Sequence, residues 1–563
     1  MEPQRRDEAR AVAAAARRER DELAALGAAV LLERFRMPQR REDPASVIAH
    51  LGPTNSGKSH DAMAFLAEVG SGTYAAPLRL LAHEAFERLS NRLPAGQVGL
   101  RTGEEQINAD APIICCTTEL APMRGEVLIL DEVHWVEDPE RGWAWGRLLA
   151  AAEYRHHRLV GALNAEPVLQ AAYGDQLQVQ RHQRLVELRW AGAIEPTGVE
   201  AGSLVVAFSR KAVLALARDL ATATGLRVGA LYGALPPQAR TVQVARFLGG
   251  ELDVLCVTDV IGHGINLPAR TVVMAETSKF DGQRRRPLLL WEAAQIVGRA
   301  GRFGLAEEGR AQVLRNVPGL EANASLVRQA VEAAGGQRSA GPGITTAPIR
   351  PTLDDLGATT PAELHDAVRA WQVAARDRLA GHGWLRAAPL HSVASRLEQL
   401  RLAKLFDQLS VAQLWRLATL SVDSDDLVVE AATHLAQGGR PLRGAGGGGV
   451  ATMAAPGSDP TDPTDTLGRA ERDAARARGA AAMARAFPSL ASDSAQELLA
   501  AEQAAAHRII EVLPAAISSN PFGRCESCGK PCATWLSRCP RCSGNGPRLP
   551  PPKRGQRGPK KRH

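Results

Sequence analysis

The sequence Gly-Pro-Thr-Asn-Ser-Gly-Lys-Ser at residues 52–59 is the feature that most limits how this chain can fold. It fits the Gly-x-x-x-x-Gly-Lys-Ser phosphate loop, which connects a β-strand to the N-terminus of a helix. Residues 47–49 are apolar enough for that strand, and residues 60–69 can form that helix. Lys58 is predicted to neutralise phosphate charge and the Ser59 hydroxyl to ligate Mg²⁺. The predicted nucleotide contacts are Gly52, Pro53, Thr54, Asn55, Ser56, Gly57, Lys58 and Ser59.

An apolar strand that ends in two adjacent acids supplies the second half of the nucleotide site. Residues 127–130 read Val-Leu-Ile-Leu and are followed by Asp131 and Glu132. Asp131 is predicted to hold Mg²⁺ through water, and Glu132 to orient and deprotonate the attacking water. A solvated acidic turn is the alternative, and the fully apolar strand makes it the weaker one. His134 completes an Asp-Glu-x-His box. It is predicted to relay the hydrolytic state to a nucleic-acid site, and a simple core or surface histidine is the alternative.

Strand-like runs alternate with helical patterns from about residue 46 to 195 and again from about 200 to 318. This alternation is typical of parallel α/β sheets. The second segment contains no further phosphate loop, so it must contribute something else to a shared site. The sequence therefore predicts two α/β domains that act on one nucleotide.

Two arginines in the second segment can complete the site of the first. Gln295 opens the sequence Gln-Ile-Val-Gly-Arg-Ala-Gly-Arg, which contains Arg299 and Arg302. Spaced three apart, the two arginines are predicted to project from one helix face and to reach the γ-phosphate as arginine fingers. Exposed surface charge is the alternative, and the glutamine and glycines around the pair disfavour it.

These motifs together resemble those of the superfamily-two helicases. The shorter matches are Thr117-Thr118-Glu119, Ser209-Arg210 and Thr258-Asp259. Longer stretches at residues 138–145, 229–237 and 258–267 are similar to the mitochondrial degradosome RNA helicases, the suppressor-of-Var type. The resemblance covers about residues 46–310, and the absence of a visible import sequence points to a bacterial-like member.

The resemblance implies tandem RecA-like domains and a 3′→5′ RNA-stimulated NTPase that uses ATP and other NTPs with Mg²⁺. It implies single-stranded or partly duplex RNA as substrate, and it leaves room for a ribonuclease partner. It also implies that Gly264 and Asn266 report to the nucleotide and that Gln295 touches its phosphate end. The residues implied to line the single-strand track are Arg79, Thr117, Thr118, Ser209, Arg210 and Thr258.

Beyond the helicase-like part, the chain is expected to add a helical accessory domain, a flexible linker and a small zinc ribbon. Capping signals and apolar stripes support the helices, and a Gly-rich and Pro-rich stretch marks the linker. The predicted divisions are 1–45 (N-terminal helical segment), 46–195 and 196–318 (RecA-like domains), 319–437 (helical accessory domain), 438–468 (linker), 469–520 (helical segment), 521–546 (zinc ribbon) and 547–563 (basic tail).

The zinc prediction rests on two CxxC pairs separated by ten residues, Cys525 with Cys528 and Cys539 with Cys542. Four thiolates on two turns suit a closed tetrahedral Zn²⁺ site, and so short a segment has too little core to fold without metal. Cys532 is a fifth cysteine nearby, and a redox pair is the alternative. The ribbon and the tail are expected to bind RNA or a partner protein. A purely structural role is the alternative.

The net charge of +7 favours a polyanionic partner, since residues 548–562 hold seven basic residues and no acid. The alternative is a solvated tail. No apolar run approaches the roughly 20 residues of a membrane span, and no signal or transit peptide is visible, so a cytoplasmic protein without membrane contact is expected. A DNA helicase or translocase with the same motor, and a nucleic-acid-stimulated NTPase that does not unwind, stay open beside the RNA helicase.

Overall fold

The structure is a computed structural model that describes two large sheets, an accessory region and a long helix pair. The predicted N-terminal helical segment lies almost entirely outside the described residues. The described residues are 38–103, 105–258, 267, 269–280, 284–301, 308–315, 320–336, 341–380, 383–420, 422, 424–439, 442, 462–490, 495–519, 523–524 and 531–532.

The first sheet has strand order β4-β3-β5-β2-β6-β7-β1-β8 within the described residues. Its strands are β1 (Ser46–Leu51), β2 (Gly72–Ala76), β3 (Val98–Arg101), β4 (Gln106–Ile107), β5 (Ile113–Thr117), β6 (Arg124–Leu130), β7 (Glu153–Gly161) and β8 (Leu177–Arg181). Its helices are α1 (Lys58–Val69), α2 (Arg79–Ser90), α3 (Gly142–Ala151) and α4 (Glu166–Tyr173). All strand pairs are parallel except β3 with β4.

The central strands of the first sheet are apolar on both faces, as is typical of a parallel sheet covered by helices on both sides. Val127 to Leu130 of β6 are fully buried, as expected for a strand covered by helices on both sides. Carboxyl ends of parallel strands meet at one edge of a sheet, where ligands bind in folds of this kind. The phosphate loop follows β1 and the acidic pair follows β6, so both motifs lie at that edge.

The second sheet has strand order β11-β12-β10-β13-β16-β9 in the described part, and every pair is parallel. Its strands are β9 (Glu187–Ile194), β10 (Ser203–Val206), β11 (Val228–Leu231), β12 (Val254–Val257), β13 (Thr271–Met274) and β16 (Glu308–Leu314), and β14 (Ser278–Phe280) and β15 (Arg285–Pro287) form a separate hairpin. Its helices are α5 (Arg210–Thr224), α6 (Pro237–Leu248), α7 (Leu290–Val297) and α8 (Leu320–Ala334). The predicted tandem arrangement of two parallel-sheet domains is confirmed.

Two predicted domain boundaries are wrong. The boundary at 195/196 divides off β9, which pairs with β16 of the second sheet from Glu187 opposite Glu308 to Ile194 opposite Leu314. The boundary at 318/319 divides off α8, whose buried face, including Val327 and Ala330, belongs to the core of the second sheet. An edge strand and a surface helix bury only one face each, so their sequences resemble linker more than core.

The accessory region adds five helices and a two-stranded sheet in the part of the chain that the structure describes. They are β17 (Ala347–Ile349), α9 (Leu353–Leu356), α10 (Pro361–Ala380), β18 (Leu385–Ala387), α11 (His391–Leu402), α12 (Val411–Thr419) and α13 (Asp425–Ala436). Ser410 caps α12, with its Oγ accepting from Gln413 N at 3.3 Å, and the Gln413 side chain accepts from Ser410 N at 2.8 Å.

The accessory region packs on the first sheet through a close backbone approach. A Cβ added to Gly146 of α3 would lie 1.9 Å from the carbonyl oxygen of Pro348 in β17. Side chains of the first sheet and of the accessory helices, such as Leu148 and Trp371, form one continuous core. The accessory helices therefore extend the first domain.

A helix pair, α14 (Pro463–Ala486) and α15 (Ala495–Ser519), crosses both halves of the molecule. The start of α14 corrects the predicted linker, which extended to residue 468. Asp462 caps the helix by accepting from Thr464 N at 2.7 Å, and Pro463 occupies the first turn, where its missing N–H costs nothing. Leu467 packs in the second core and Met483 in the first, so α14 joins the two.

The predicted zinc ligands Cys525, Cys528, Cys539 and Cys542 lie outside the described residues. In this part of the chain the described residues form a short antiparallel pair, β19 (Gly523–Arg524), just before Cys525, and β20 (Pro531–Cys532), between Cys528 and Cys539. Cys115, Cys116 and Cys256 are free, buried thiols. Within the described residues, no helix combines the length and the apolar character that a bilayer span requires.

Candidate nucleotide site and nucleic-acid track

The phosphate loop needs glycine at two positions for steric reasons. Gly57 caps α1 with φ of +83°, in the left-handed region that side chains disfavour. A Cβ added to Gly52 would lie 2.5 Å from the carbonyl oxygen of His182, in the segment that follows β8. The loop is therefore pressed against the connection between the two sheets, and this fixes its path out of β1.

The loop is folded around its own lysine. Lys58 is buried, and its Nζ donates to the Pro53 carbonyl oxygen at 3.0 Å, beside the Ser56 hydroxyl, which donates to the same oxygen at 2.9 Å. Ser59 follows Lys58 in the first turn of α1 and stays partly exposed. This places an ammonium group and a hydroxyl at the positive end of a helix, an arrangement that suits phosphate oxygens.

Asp131 is held rigidly at the end of β6. Its carboxylate accepts from the Tyr74 hydroxyl and from Glu132 N at 2.9 Å, and its carbonyl accepts from Trp145 Nε1 at 3.0 Å. Burial raises the pKa of Asp131, and the neighbouring Glu132 charge raises it further. Hydroxyl and carboxylate oxygens from Ser59 and Asp131 are the hard donors that Mg²⁺ takes, so the donor set fits the predicted ion. Sequence reasoning missed Tyr74, since nothing in β2 marks it.

Glu132 adopts an unusual backbone conformation at the point where the predicted base is needed. Its φ is +49°, in the left-handed region, which costs a non-glycine residue on the order of 1–3 kcal/mol. The turn sends its side chain to a position 3.5 Å from His134 Nδ1 (Oε2 to Nδ1). Strain of this kind persists where surrounding structure holds the residue, and it is concentrated at functional sites.

His134 connects the acidic turn to the second sheet. The buried imidazole is a hydrogen-bond partner of the Gln295 side-chain amide through Nε2. The Trp291 ring meets the imidazole edge-on, with centroids 6.1 Å apart. Gln295 and Trp291 lie on α7 of the second sheet, so the structure brings this helix against the first sheet's box. The contact of Gln295 with a phosphate end stays a prediction.

Arg299 lies across the cleft from the acidic pair. Removal from bulk water lowers its pKa, while the carboxylates of Glu132, Glu84 and Asp131 act in the opposite direction. These three charges belong to the first sheet, so the guanidinium faces the predicted catalytic edge. Arg302, the other predicted finger, lies outside the described residues.

The prediction that Arg299 and Arg302 share a helix face is wrong. Helix α7 ends at Val297 with Gly298 as its cap, and Arg299 occupies the turn that follows. Gly301 then takes φ of +70°, which a continuing helix does not allow. The glycines that made the motif recognisable also end the helix.

Arg184 is a site residue that sequence reasoning missed. It lies between β8 and β9, and its guanidinium donates to the carbonyls of Thr54 at 3.1 Å and Gly298 at 2.8 Å, and also to that of Ala300. The phosphate loop and the turn after α7 are in direct contact, because a Cβ added to Gly298 would lie 2.0 Å from Thr54 Oγ1. A single arginine in a connecting segment gives no sequence signal for this role.

In the first sheet, the predicted track residues differ in exposure. Arg79 is exposed at the start of α2. Thr117 and Thr118 are buried at the end of β5, and the Thr118 hydroxyl donates to the Ala76 carbonyl at 3.0 Å. Of these three, Arg79 is the one whose side chain reaches the surface.

In the second sheet, Ser209 and Arg210 have structural partners. The Ser209 hydroxyl caps α5 by accepting from Ala212 N at 3.1 Å. Arg210 Nε lies 2.7 Å from an oxygen of Glu471, a residue of α14 whose carboxylate also accepts from the Tyr232 hydroxyl at 2.5 Å. The third track residue of this sheet, Thr258, is buried at the end of β12. Gly264 and Asn266, the predicted nucleotide reporters, lie outside the described residues.

Comparison with known families divides the chain where the two sheets divide. Residues 35–182 match the family described as "DEXQ-box helicase domain of Suv3". Residues 194–304 match the "Helicase conserved C-terminal domain". This chain has His134 at the position that gives the first family the Q of its name.

Similar curated proteins are mitochondrial helicases that are longer than the matched region. The chain is 36% identical over 271 residues to "ATP-dependent RNA helicase SUV3, mitochondrial" of Saccharomyces paradoxus, covering 46% of this chain and 36% of that protein. It is 34% identical to "DExH-box ATP-dependent RNA helicase DExH16, mitochondrial" of Arabidopsis thaliana, covering 47% of this chain and 48% of that protein. The chain thus spans about a third to a half of the length of these relatives.

Proposed function

We propose that this chain, which carries a Suv3-type helicase domain followed by a helicase conserved C-terminal domain, is an ATP-dependent RNA helicase. It hydrolyses ATP, and other NTPs, to move 3′→5′ along single-stranded RNA and to separate duplex ahead of it. The observation that carries the proposal is the cross-cleft contact: Gln295 meets His134, and Arg299 faces Glu132, so groups of both sheets converge on one nucleotide-binding edge.

The first sheet binds the triphosphate and prepares the attacking water. Main-chain N–H groups of the phosphate loop and the Lys58 ammonium hold the β- and γ-phosphates. Mg²⁺, held by Ser59 and Asp131, would neutralise charge on the phosphate oxygens. Glu132 orients the water and takes its proton, from the strained turn that projects its carboxylate toward His134.

The second sheet stabilises charge in the transition state and couples hydrolysis to movement. Arg299, with Arg302 as the second proposed finger, places positive charge on the γ-phosphate. His134 and Gln295 transmit the state of the acidic turn to α7. When the cleaved phosphate leaves, the attraction between the two sides of the cleft is lost and the domains separate.

Movement requires that both domains hold the strand. We propose that they do so through phosphates and sugars, with little sequence preference. The proposed track consists of Arg79, Thr117, Thr118, Ser209, Arg210 and Thr258, with Gly264 and Asn266 reporting to the nucleotide. The names of the relatives favour RNA over DNA, and reading of the 2′-OH would make that choice.

Strand displacement tests the proposal. RNA and DNA duplexes with 3′ or 5′ single-stranded overhangs are incubated with ATP and Mg²⁺, and ATPase stimulation by poly-U and poly-dT is measured in parallel. We expect displacement of RNA duplexes with 3′ overhangs and stimulation by poly-U. Stimulation by poly-dT alone would identify a DNA motor, and stimulation without displacement would identify a translocase or an NTPase that does not unwind.

Three further proposals concern parts that the structure describes little. The spacing of the four cysteines supports a structural Zn²⁺ ribbon, tested by the zinc content of the purified chain and of a Cys539→Ser, Cys542→Ser variant. A ribonuclease partner is tested by co-purification from source cells. The relatives are mitochondrial by name, which favours a mitochondrial location over the predicted cytoplasmic one, and fractionation of source cells distinguishes them.

A further inference from the structure

Arg184 occupies the connection between the two sheets and binds main chain on both sides of the cleft. Its Nε donates to Val186 O at 2.8 Å, within the connection itself. Nη1 donates to Thr54 O at 3.1 Å in the phosphate loop and to Gly298 O at 2.8 Å in the turn after α7. Nη2 donates to the carbonyls of Ala300 and Gly301, the latter at 3.3 Å.

The carbonyls that Arg184 binds enclose Arg299. Gly298 and Ala300 are the residues immediately before and after it, so one guanidinium fixes the peptide groups on both sides of the finger. The planar fork of a guanidinium presents its donors in fixed directions. The position of Arg299 is thereby set relative to Thr54, which the same fork binds.

A second bond supports the same link. Asn55 of the phosphate loop donates its side-chain amide to Gly301 O at 2.5 Å, and Leu185 N donates to Asn55 O at 3.0 Å. The phosphate loop, the connection and the finger turn therefore form one hydrogen-bonded unit in which Arg184 is the central donor.

A purely structural role, capping the C-terminal end of α7, is the simplest alternative, because cations stabilise helix C-termini. Capping alone does not require the bond to Thr54, and it would not favour a second cation nearby. Burial, together with the nearby charge of Arg299, lowers the pKa of Arg184 to about 10. Placing the guanidinium groups of Arg184 and Arg299 close together is electrostatically unfavourable. The arrangement therefore favours a role in the nucleotide site over helix capping alone.

We propose that Arg184 is a positioning residue that aligns the Arg299 finger with the phosphate loop, so that cleavage of the nucleotide depends on it while nucleotide binding does not. The inference rests on the proposed NTPase function. It adds a residue outside the helicase motifs and gives the connection between the domains a role in positioning Arg299 for hydrolysis.

The first test compares Arg184→Met, Arg184→Lys and Arg181→Met in the full chain. Arg181 is a matched control three residues away, exposed and paired with Glu166 on the surface. Displacing a reacting group by about 1 Å costs roughly 10²-fold in rate, so we expect kcat of Arg184→Met to fall by about that factor. The Kd for a fluorescent ATP analogue should change less than about threefold. Arg184→Lys should recover part of kcat, and Arg181→Met should match the wild type.

The second test is a double-mutant cycle with Arg299→Ala. If Arg184 acts through the finger, Arg184→Met should lower kcat by less than about threefold once Arg299 is absent. An undiminished effect in that background, or an equal loss of nucleotide binding, would overturn the inference in favour of a structural role. Thermal unfolding verifies folding, and Arg184→Lys replaces Arg184→Met in the cycle if the latter does not fold. A wild-type chain that fails to hydrolyse NTP would instead refute the proposed function.

Discussion

The nucleotide cleft and the predicted nucleic-acid track are built from the ends of the same parallel strands, yet their side chains are engaged differently. In the cleft, contacts join the two sheets: Gln295 reaches His134, and Arg184 joins Thr54 to Gly298. In the track, contacts are made within one sheet or to an added helix, as with Thr118 on Ala76 O. Contacts in the cleft therefore join the two sheets, whereas contacts at the predicted track stay within one sheet or involve the added helix α14.

The difference shows which change each region needs before it can bind its ligand. A cleft that is closed by protein contacts needs only the nucleotide to fill it. A track residue such as Arg210, already bound to Glu471, must exchange that partner for a phosphate before it can hold a strand. We therefore expect substitutions in the cleft to change chemistry, and substitutions around the track to change affinity for nucleic acid.

The largest effect is expected at Arg299, the proposed arginine finger. Arginine fingers contribute roughly 10³–10⁵ in rate, so Arg299→Ala should lower kcat within that range while the Kd for ATP changes little. Single-turnover hydrolysis with saturating RNA provides the measurement. Arg315→Ala is the control, an exposed arginine of the second sheet that pairs with Glu195. A loss of kcat below about tenfold would contradict the contrast between cleft and track, because hydrolysis in the cleft would then not depend on the second sheet.

The second largest effect is expected at Glu132, the proposed general base. General-base catalysis contributes typically 10²–10⁴-fold, so Glu132→Gln should reduce hydrolysis by about that factor and leave ATP binding intact. The amide keeps the size of the side chain, and binding is followed with a fluorescent nucleotide. Retained turnover would show that another group activates the water and would remove Glu132 from the proposed mechanism.

A smaller effect is expected at Tyr74, whose hydroxyl donates to Asp131. Loss of a group that orients a metal ligand typically costs 10–100-fold in metal affinity or activity. Tyr74→Phe should therefore raise the Mg²⁺ concentration for half-maximal hydrolysis by at least about tenfold. Tyr173→Phe is the matched control, a buried tyrosine of the same domain that contacts His157. An equal effect of both substitutions would indicate general destabilisation.

How far the sequence could predict this molecule depends on how local each feature is. The phosphate loop and the acidic pair could be predicted because their chemistry is carried by neighbouring residues. Tyr74 and Arg184 could not, because they act through contacts with Asp131 and with main chain far away in sequence. The sequence does not show that β9 belongs to the second domain, because an edge strand needs only one apolar face.

Helix ends show the same limit. The predicted linker reached residue 468, although Asp462 and Pro463 form a cap and a first turn that begin α14. Composition marked the whole stretch as flexible, and the cap was visible only as a local pattern within it. The reverse error occurred at α7, which was expected to continue through Arg299 but ends at Val297.

The smallest effect, and the one that sharpens the comparison most, is expected at Glu471. Its carboxylate binds Arg210 and Tyr232, so it holds a proposed track residue away from phosphate. Glu471→Gln keeps the shape but weakens the ion pair, and a change of about 1 kcal/mol corresponds to roughly fivefold in affinity. We expect the poly-U concentration for half-maximal ATPase stimulation to fall by about that factor, with the unstimulated rate unchanged.

Glu430→Gln provides the matched control for Glu471→Gln, because Glu430 pairs with Arg476 on the same helix α14 but belongs to the accessory region. Added salt should narrow the difference between Glu471→Gln and the wild type, since phosphate contacts weaken with ionic strength. If Glu471→Gln instead weakens stimulation, the ion pair supports the track rather than competing with it. Arg210 would then bind RNA while still paired with Glu471. The predicted track, like the cleft, would need no exchange of protein contacts before it binds its ligand.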